Sequence, residues 1–384
     1  MTLDTPSLSP GLEGVPIAES SVSLVEGEAG RLTYRGYSIE DLTQPGVTFE
    51  EVVALLYESE LPTGTHVDEI RRHLHDQRVL TPDQLAVARQ IGAMTHPMFA
   101  LQAATALLAP SDNDFERKVP TVQERGLSLV AKVGHLVGII AQARAGRPYD
   151  GPWVGESHAH MMLRMITGRQ PSREHERAMN ALLILQADHS AGNASTFTAR
   201  VVTSSKAEPE AVCAAAIGAL SGPAHGGANE ASLRLFQQIG DPKRAEEQIQ
   251  RMLDDKFKIP GFGHRVYHVK DPRSKVIQQL AKEVIVPGSR EADLYDIALT
   301  VEKVATERLG ARGLYPNVDL FSGCVFAALG IPTDFFTPIF AASRTLGWMV
   351  HMKEQWESGN RIFRPTQIYT GEEHRDFMPI DRRS

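Results

Sequence analysis

Apolar residues recur at helical spacing along most of this chain. Thr48 followed three residues later by Glu51 has the form of a capping box, and the apolar stripe of residues 52–56 begins just behind it. The same period of three to four residues predicts helices over 67–74, 82–92, 100–108, 127–145, 158–167, 173–186, 231–240, 245–257, 274–284, 294–309 and 337–356. The pattern therefore predicts a mostly α-helical protein.

The start of the chain follows a different period. Apolar and polar residues alternate over 21–26 and 31–34, and Gly27 and Gly30 separate the two segments, which predicts a small β-hairpin. Proline and glycine mark the connectors between the helices that follow. Beyond residue 225 the helices become shorter and more charged, and a strongly apolar helix returns only at 337–356. This change indicates a smaller lobe set within a larger one.

Composition narrows the class of protein. The 384 residues carry a net charge of −7, which argues against a nucleic-acid partner. Two cysteines, Cys213 and Cys324, stand in apolar helical surroundings without a C-x-x-C spacing, as reduced core residues do. The first residues have no apolar signal segment, and uncharged stretches such as 321–333 are too short to cross a bilayer, so we expect a cytoplasmic protein without a membrane span.

Three turn-like segments carry candidate chemistry. SGPAHGGANE sets His225 beside glycines at 222, 226 and 227, which permit positive φ or close backbone approach. IPGFGHRVYHVKDPR presents His264 after two glycines and ends at Arg273, and YPNVDLFSG holds Asp319. Together these segments offer a general acid, a general base and a guanidinium that can bind an anion.

These segments, in this order, resemble the citrate synthase family. DHSAGNASTFTAR before them, and FFTPIFAASRTLGW and NRIFRP after them, extend the likeness from about Gly11 to Gly371, and the short bacterial and archaeal form fits best. The resemblance implies a nearly all-α homodimer. It also implies a large domain formed by residues 1–226 and 331–384, and a small domain of residues 227–330 that closes as a mobile lid over a ligand cleft.

The resemblance further implies the reaction, a condensation of acetyl-CoA with oxaloacetate followed by hydrolysis of citryl-CoA to citrate and CoA. Asp319 would remove a proton from the acetyl methyl group, His225 would donate a hydrogen bond to the thioester oxygen, and His264 would polarise and protonate the ketone. The oxaloacetate site implied by the match comprises His189, Arg273, Arg344 and, from the other subunit, Arg364. For CoA the candidates are Arg265, His268, Lys270 and Lys275. No metal and no cofactor is expected, since acetyl-CoA is a substrate.

Several alternatives stay open at this stage. A 2-methylcitrate synthase would use propionyl-CoA with the same machinery, and one methylene discriminates by only about 1–3 kcal/mol. Fourteen histidines also suggest a metal-dependent hydrolase, but His158 and His160 are two residues apart and do not share a helix face as an i, i+4 pair does. A non-catalytic helical dimer is a third possibility. The absence of an added N-terminal domain predicts no inhibition by NADH, and no segment suits ATP.

Overall fold

A computed structural model describes residues 8–110 and 119–383 of the chain, and its fold is all-α apart from one small sheet, as predicted. Short 3₁₀ turns lie at Pro10–Leu12, Gly310–Arg312, Thr333–Phe335 and Ile380–Arg382. The helices of the described residues are α1 Ile39–Leu42, α2 Phe49–Glu58, α3 Gly64–Asp76, α4 Pro82–Met94, α5 Pro97–Ala106, α6 Val119–Arg144, α7 His158–Thr167, α8 Arg173–Gln186, α9 Ala194–Ser204, α10 Pro209–Leu220, α11 Ala228–Ile239, α12 Pro242–Asp254, α13 Pro272–Val284, α14 Arg290–Leu309, α15 Val318–Ala328 and α16 Phe336–Glu357.

The predicted hairpin is present and is extended by one strand. Strand β1 (Ser23–Glu26) pairs antiparallel with β2 (Arg31–Tyr34), which pairs antiparallel with the two-residue β3 (Tyr37–Ser38). Alternation along β2 turns Leu32 and Tyr34 inward, where both side chains are fully buried. The sheet therefore packs one face on the helical core rather than standing apart from it.

Helix ends follow local capping chemistry. The capping box predicted at Thr48 and Glu51 is formed, with each side chain accepting from the other residue's backbone N–H. Helix α5 begins at Pro97 instead of residue 100, because the His96 side chain accepts from the Met98 N–H and proline suits the first turn. Helices α7 and α8 have the predicted bounds, and both begin after a serine cap.

The core of the larger helical group is built around α6 and α16, which pack along each other. Gly134 and Gly138 of α6 permit close contact with α7, because a Cβ atom at these positions would lie 2.4 Å from a ring atom of His158 and 2.7 Å from Met165. The segment Gln123–Arg144 of α6 is long and apolar enough to span a membrane, yet most of it is buried inside the protein. Helix α6 is therefore a core helix of the larger helical group.

Helices α11 to α15 pack mainly on one another, while α13 also contacts α8 of the larger group. This packing agrees with a smaller lobe inserted in a larger one. The domain limits of 1–226, 227–330 and 331–384 stay a prediction, and residues 1–7, 111–118 and 384 of those ranges lie outside the described residues.

Candidate active site

Hydrogen bonds join two loops of the smaller lobe, one that leads from His264 to Arg273 and one that leads into the helix carrying Asp319. The Gly263 N–H donates to the Tyr315 carbonyl at 2.9 Å, and the Asn317 N–H donates to the Gly261 carbonyl at 2.9 Å. Gly261 has φ +78°, and a Cβ atom there would lie 2.7 Å from the Leu320 Cα. Only glycine permits this close approach between the His264 loop and the first turn of α15.

Further hydrogen bonds hold the start of α13 against the segment of residues 316–317, which precedes α15. The Asp271 N–H donates to the Pro316 carbonyl at 3.1 Å, and the Ser274 hydroxyl donates to the Asn317 carbonyl at 2.6 Å. Arg273 therefore lies at a helix start whose position is tied to the helix start that carries Asp319.

The imidazole of His264 is held in one neutral tautomer. The backbone N–H groups of Val266 and Tyr267 both donate to its Nδ1, at 3.0 and 3.1 Å. A nitrogen that accepts two N–H donors cannot itself carry a proton, so Nε2 bears the hydrogen and can donate it to a ligand. Burial, aided by the charge of Arg273, lowers the pKa of His264 to about 4. At neutral pH this residue is an uncharged hydrogen-bond donor.

The tautomer of His225 is fixed by hydrogen bonding to Ser195. Its Nε2 lies 2.9 Å from the Ser195 hydroxyl and 3.3 Å from the Ser195 N–H. The Ser195 hydroxyl accepts from the indole N–H of Trp348 at 3.2 Å and donates to the Asn193 Oδ1 at 3.0 Å. The backbone N–H of Ser195 is therefore the donor that makes Nε2 of His225 an acceptor. Nε2 is then the acceptor and Nδ1 carries the free N–H. Burial, with the charge of Arg344, lowers the pKa of His225 to about 4.

His189 follows a buried aspartate that anchors its loop. Asp188 accepts from the Ser23 hydroxyl at 2.5 Å and lies 3.2 Å from the His351 Nε2. Burial opposes its charge, yet the nearby His351 lowers the pKa of Asp188 to about 2. The Tyr34 hydroxyl also bonds the backbone of Asp188. The N-terminal sheet thus fixes the backbone on either side of His189.

The ring of His189 faces the other candidates. Its centroid lies 5.1 Å from that of His264, in an edge-to-face arrangement, and 5.6 Å from that of Tyr267. Its buried Nε2 has no hydrogen-bond partner among the described residues. Burial, together with Arg273 and His264, lowers the pKa of His189 well below its ordinary value. A neutral imidazole with an unused nitrogen is available to a ligand.

Two buried guanidinium groups, those of Arg273 and Arg344, act electrostatically on His189. Arg273 is 3% exposed, and Asp271 holds it with two bonds, from Nε at 3.0 Å and from Nη2 at 2.7 Å. Burial works against its charge, but the Asp271 carboxylate raises the pKa of Arg273 above the ordinary value. Arg344 is 1% exposed and uses Nε to donate to the Gln186 carbonyl at 2.6 Å. Both arginines are oriented before any anion arrives.

Asp319 lies in the first turn of α15, whose Asn317 cap accepts from the Asp319 N–H at 2.9 Å. A carboxylate at a helix start is ordinarily stabilised by the helix dipole. Here burial dominates and raises the pKa of Asp319 to about 7, although Arg273 and Arg344 pull in the opposite direction. The charges of both arginines therefore act on the predicted base.

The glycines of the His225 turn act differently from the expectation. None of the three at 222, 226 and 227 has a positive φ. Only Gly226 is required by a close contact, since a Cβ atom there would lie 2.4 Å from the Leu220 carbonyl oxygen. Of the two roles that glycine permits here, positive φ is not used by these three residues, and approach of the backbone to a ligand stays a prediction.

The four residues predicted to contact CoA lie in different surroundings. Arg265 is exposed and lies 3.6 Å from Glu13, and His268 is exposed and lies 3.8 Å from Glu28. Lys270 is instead bound to Glu302 at 2.5 Å and donates to Gln278 at 2.6 Å, so its charge is already neutralised inside the smaller lobe. Lys275 lies on α13 in a shallow cleft of roughly 200 Å³. These four side chains therefore differ in exposure and in their neighbours, and their contact with CoA stays a prediction.

Arg364 is exposed in the segment that follows α16, away from the buried arginines. Phe363 packs against Phe197 of α9 with ring centroids 5.7 Å apart, and its N–H donates to Ser204. Beyond this anchor the chain carries exposed apolar side chains, including Ile368, Tyr369 and Phe377. Within one chain, Arg364 is not shown in contact with His189, His225 or His264.

His158 and His160, the pair considered for a metal, are separated by the helix as expected. His158 is buried beside Arg78, and His160 pairs with Glu176 and Glu156. In residues 8–110 and 119–383, no three histidine, cysteine or acidic side chains converge in a way that could hold a metal ion.

Sequence reasoning missed the groups that orient the candidates. Ser195 sets the His225 tautomer through its backbone N–H and is itself bound by Trp348, Asp188 anchors the His189 loop, and Asp271 holds Arg273. Asp271 had a local signal, since Asp-Pro at a helix start is typical of an N-cap. The contact between residues 195 and 348 joins positions far apart in the chain, and no spacing rule could have found it.

The fold and the site define an all-α protein in which neutral histidines, buried arginines and one buried aspartate are available to a ligand. The family model for the C-terminal domain of citrate synthase matches residues 11–366. The chain is 38% identical to a citrate synthase of Acidithiobacillus ferridurans over 99% of both chains. It is also 35% identical to a 2-methylcitrate synthase of Corynebacterium glutamicum over 99% of both chains.

Among solved structures, the chain is similar to citrate synthase of Thermoplasma acidophilum in ternary complex with carboxymethyl coenzyme A and oxaloacetate. The TM-score is 0.93 at 31% identity, over 99% of this chain and 100% of that one. The chain belongs to the citrate synthase family. Its function is accordingly that of a citrate-forming acyltransferase of the tricarboxylic acid cycle.

Proposed function

We propose that the chain performs this reaction with Asp319, His225 and His264 on acetyl-CoA and oxaloacetate, without a metal or other cofactor. Asp319 takes a proton from the acetyl methyl group while the Nδ1–H of His225 donates to the thioester oxygen. The resulting enol carbon attacks the ketone carbon of oxaloacetate, and His264 supplies a proton to the ketone oxygen. Water then cleaves the thioester of citryl-CoA and releases citrate and CoA.

The observation that carries this proposal is the protonation state of the three groups. An ordinary aspartate is too weak a base for an acetyl methyl group, but one with a pKa near 7 is matched to neutral pH. Two histidines that remain neutral, each with one free N–H, can stabilise oxyanions as they form. Placing the three together reduces the barrier for the proton transfer and the bond formation.

Oxaloacetate carries two carboxylates, and we propose that His189, Arg273 and Arg344 bind it from within the subunit. Arg273 and Arg344 are buried and held by Asp271 and Gln186 before the ligand binds. Preoriented guanidinium groups bind carboxylates with little loss of side-chain entropy. The lobe of residues 227–330 then closes over oxaloacetate, completes the site and excludes water before acetyl-CoA reacts.

We further propose a cytoplasmic homodimer in which Arg364 completes the oxaloacetate site of the other subunit. The exposed apolar side chains beyond Phe363 support this, because a segment of this kind gains stability by packing on a second copy. Complementation tests the arrangement. Asp319→Asn and Arg364→Gln chains, each inactive alone, are co-expressed with different tags and the mixed dimer is purified.

In the mixed dimer one site combines the intact Asp319 with the intact Arg364 only if the arginine crosses to the other subunit. We expect that dimer to recover about half of the wild-type rate per dimer. If Arg364 acts within its own chain, both sites are defective and no activity returns.

The acyl preference is tested by measuring thiol release with acetyl-CoA and with propionyl-CoA, each with oxaloacetate. We expect acetyl-CoA to give the larger kcat/KM. The likeness to a 2-methylcitrate synthase keeps propionyl-CoA as a second candidate. A larger kcat/KM with propionyl-CoA would assign that activity instead, and no thiol release with either would refute the proposed reaction.

A further inference from the structure

Tyr267 is a buried tyrosine in the candidate site that neither the motif reading nor the proposed mechanism uses. Its side chain is 1% exposed, and its ring centroid lies 4.7 Å from that of His264 and 5.6 Å from that of His189. It thus contacts one imidazole of each lobe. A side chain in this position forms part of the wall of the proposed oxaloacetate pocket.

The hydroxyl group of Tyr267 has no hydrogen-bond partner in the described part of the chain. A buried hydroxyl without a partner costs free energy, and most buried polar groups in proteins are satisfied. The Nε2 of His189, on the ring packed against Tyr267, is also buried and unpartnered. Two buried polar atoms on adjoining rings, each without a partner in the described residues, are available to bond a ligand.

The hydroxyl group of Tyr267 is suited to donate to an acceptor on a ligand. Burial raises the pKa of Tyr267, Arg273 acts in the opposite direction, and the carboxylates of Asp271 and Glu40 add to the rise, so the hydroxyl remains a proton donor. Arg273, whose charge acts on this hydroxyl, has two of its guanidinium nitrogens on Asp271 and is the proposed carboxylate-binding group. A carboxylate bound at Arg273 could accept from both groups.

Resting on the proposed function, the geometry points to Tyr267 as an additional oxaloacetate-binding residue, whose hydroxyl donates to the substrate carboxylate held by Arg273. Its ring also keeps the His189 and His264 rings apart and oriented. Tyr267→Phe removes only the hydroxyl. A lost hydrogen bond to a charged group corresponds to a roughly ten- to hundredfold weaker dissociation constant.

The chain offers a matched control. Tyr57 is another buried tyrosine whose hydroxyl has no partner in the described residues, but it lies near the end of α2 in the core, where its hydroxyl faces Gly126 of α6. Tyr57→Phe removes the same group from a place that no substrate reaches. Both substitutions relieve an unsatisfied hydroxyl, so neither is expected to lower the Tm of the ligand-free protein.

The experiment measures oxaloacetate binding by calorimetry, together with the Tm with and without oxaloacetate, for the wild type, Y267F and Y57F. We expect Y267F to bind oxaloacetate at least tenfold more weakly, to lose most of the ligand-induced rise in Tm and to raise the KM for oxaloacetate more than it lowers kcat. Y57F should match the wild type in all three. Equal binding by Y267F and the wild type, or equal weakening by Y57F, would overturn the assignment.

Failure of the proposed function itself would look different. In that case the wild type would neither bind oxaloacetate nor release thiol from acetyl-CoA. Wild-type activity with unaltered binding by Y267F would refute only the role of Tyr267.

Discussion

Replacing Asp319 with asparagine should abolish the reaction and stabilise the protein at the same time. The carboxylate is destabilised by burial in the folded chain, where its pKa is raised from 3.8 to about 7. A group whose pKa is raised on folding contributes stability below its unfolded pKa and loses that contribution as the pH rises to the folded value. Above pH 7 the Asp319 carboxylate is therefore charged in both states, and this charge is less stable in the folded protein than in the unfolded chain.

The magnitude follows from these two pKa values. The difference of roughly three pH units corresponds to about 4 kcal/mol at pH 8, since each unit is worth about 1.36 kcal/mol. Water and side-chain relaxation in an open cleft reduce this upper limit, and we expect Asp319→Asn to raise the free energy of unfolding by about 1–2 kcal/mol at pH 8. The gain should be about half as large at pH 5.5, and it should be constant above pH 8.

The assay pairs chemical denaturation at pH 5.5, 7 and 8 with thiol release from acetyl-CoA. The loss of a general base lowers kcat by about 10²- to 10⁴-fold. Asp319→Glu serves as the control, because it retains a carboxylate that is displaced by one methylene. Retained turnover in Asp319→Asn would refute the assigned base, and a gain in stability that does not grow between pH 5.5 and pH 7 would refute the burial of its charge.

The remaining predictions concern the groups that orient the site. Ser195→Ala removes the hydroxyl that lies 2.9 Å from Nε2 of His225 and helps to orient its ring, so kcat should fall about ten- to hundredfold with little change in the KM for oxaloacetate. An unchanged kcat would show that the backbone N–H of Ser195 orients the ring by itself. Asp271→Asn weakens the pair of hydrogen bonds that holds Arg273. The KM for oxaloacetate should therefore rise at least tenfold, and calorimetry should show weaker oxaloacetate binding. An equal rise in the KM for acetyl-CoA would contradict an effect confined to the oxaloacetate site. Gly261→Ala forces a Cβ atom against Leu320 at positive φ, so denaturation should show a loss of about 1–3 kcal/mol and kcat should fall, while wild-type stability would show that the two loops can separate freely.

The sequence by itself determined the helical class, most helix positions and the turns that carry the chemistry. The repeat of apolar residues at three and four positions decides where a helix can bury a face, and this information is local. It located α7 and α8 at their observed bounds and placed His225, His264 and Asp319 in turn-like segments between helices. Helix α6 was found for the same reason, although within the described residues it reaches back to Val119, ahead of the predicted residue 127.

Only the tertiary structure decided how those residues are charged and oriented. The pKa of Asp319 depends on burial and on Arg273 and Arg344, and the tautomer of His225 depends on the backbone N–H of Ser195, which lies 30 positions from it along the chain. Burial and hydrogen bonding between distant residues arise from packing of the whole chain, because they depend on distances in space that no local pattern encodes. For the same reason the ion pair between Lys270 and Glu302 could not be predicted from the sequence, and contact of Lys270 with CoA stays a prediction.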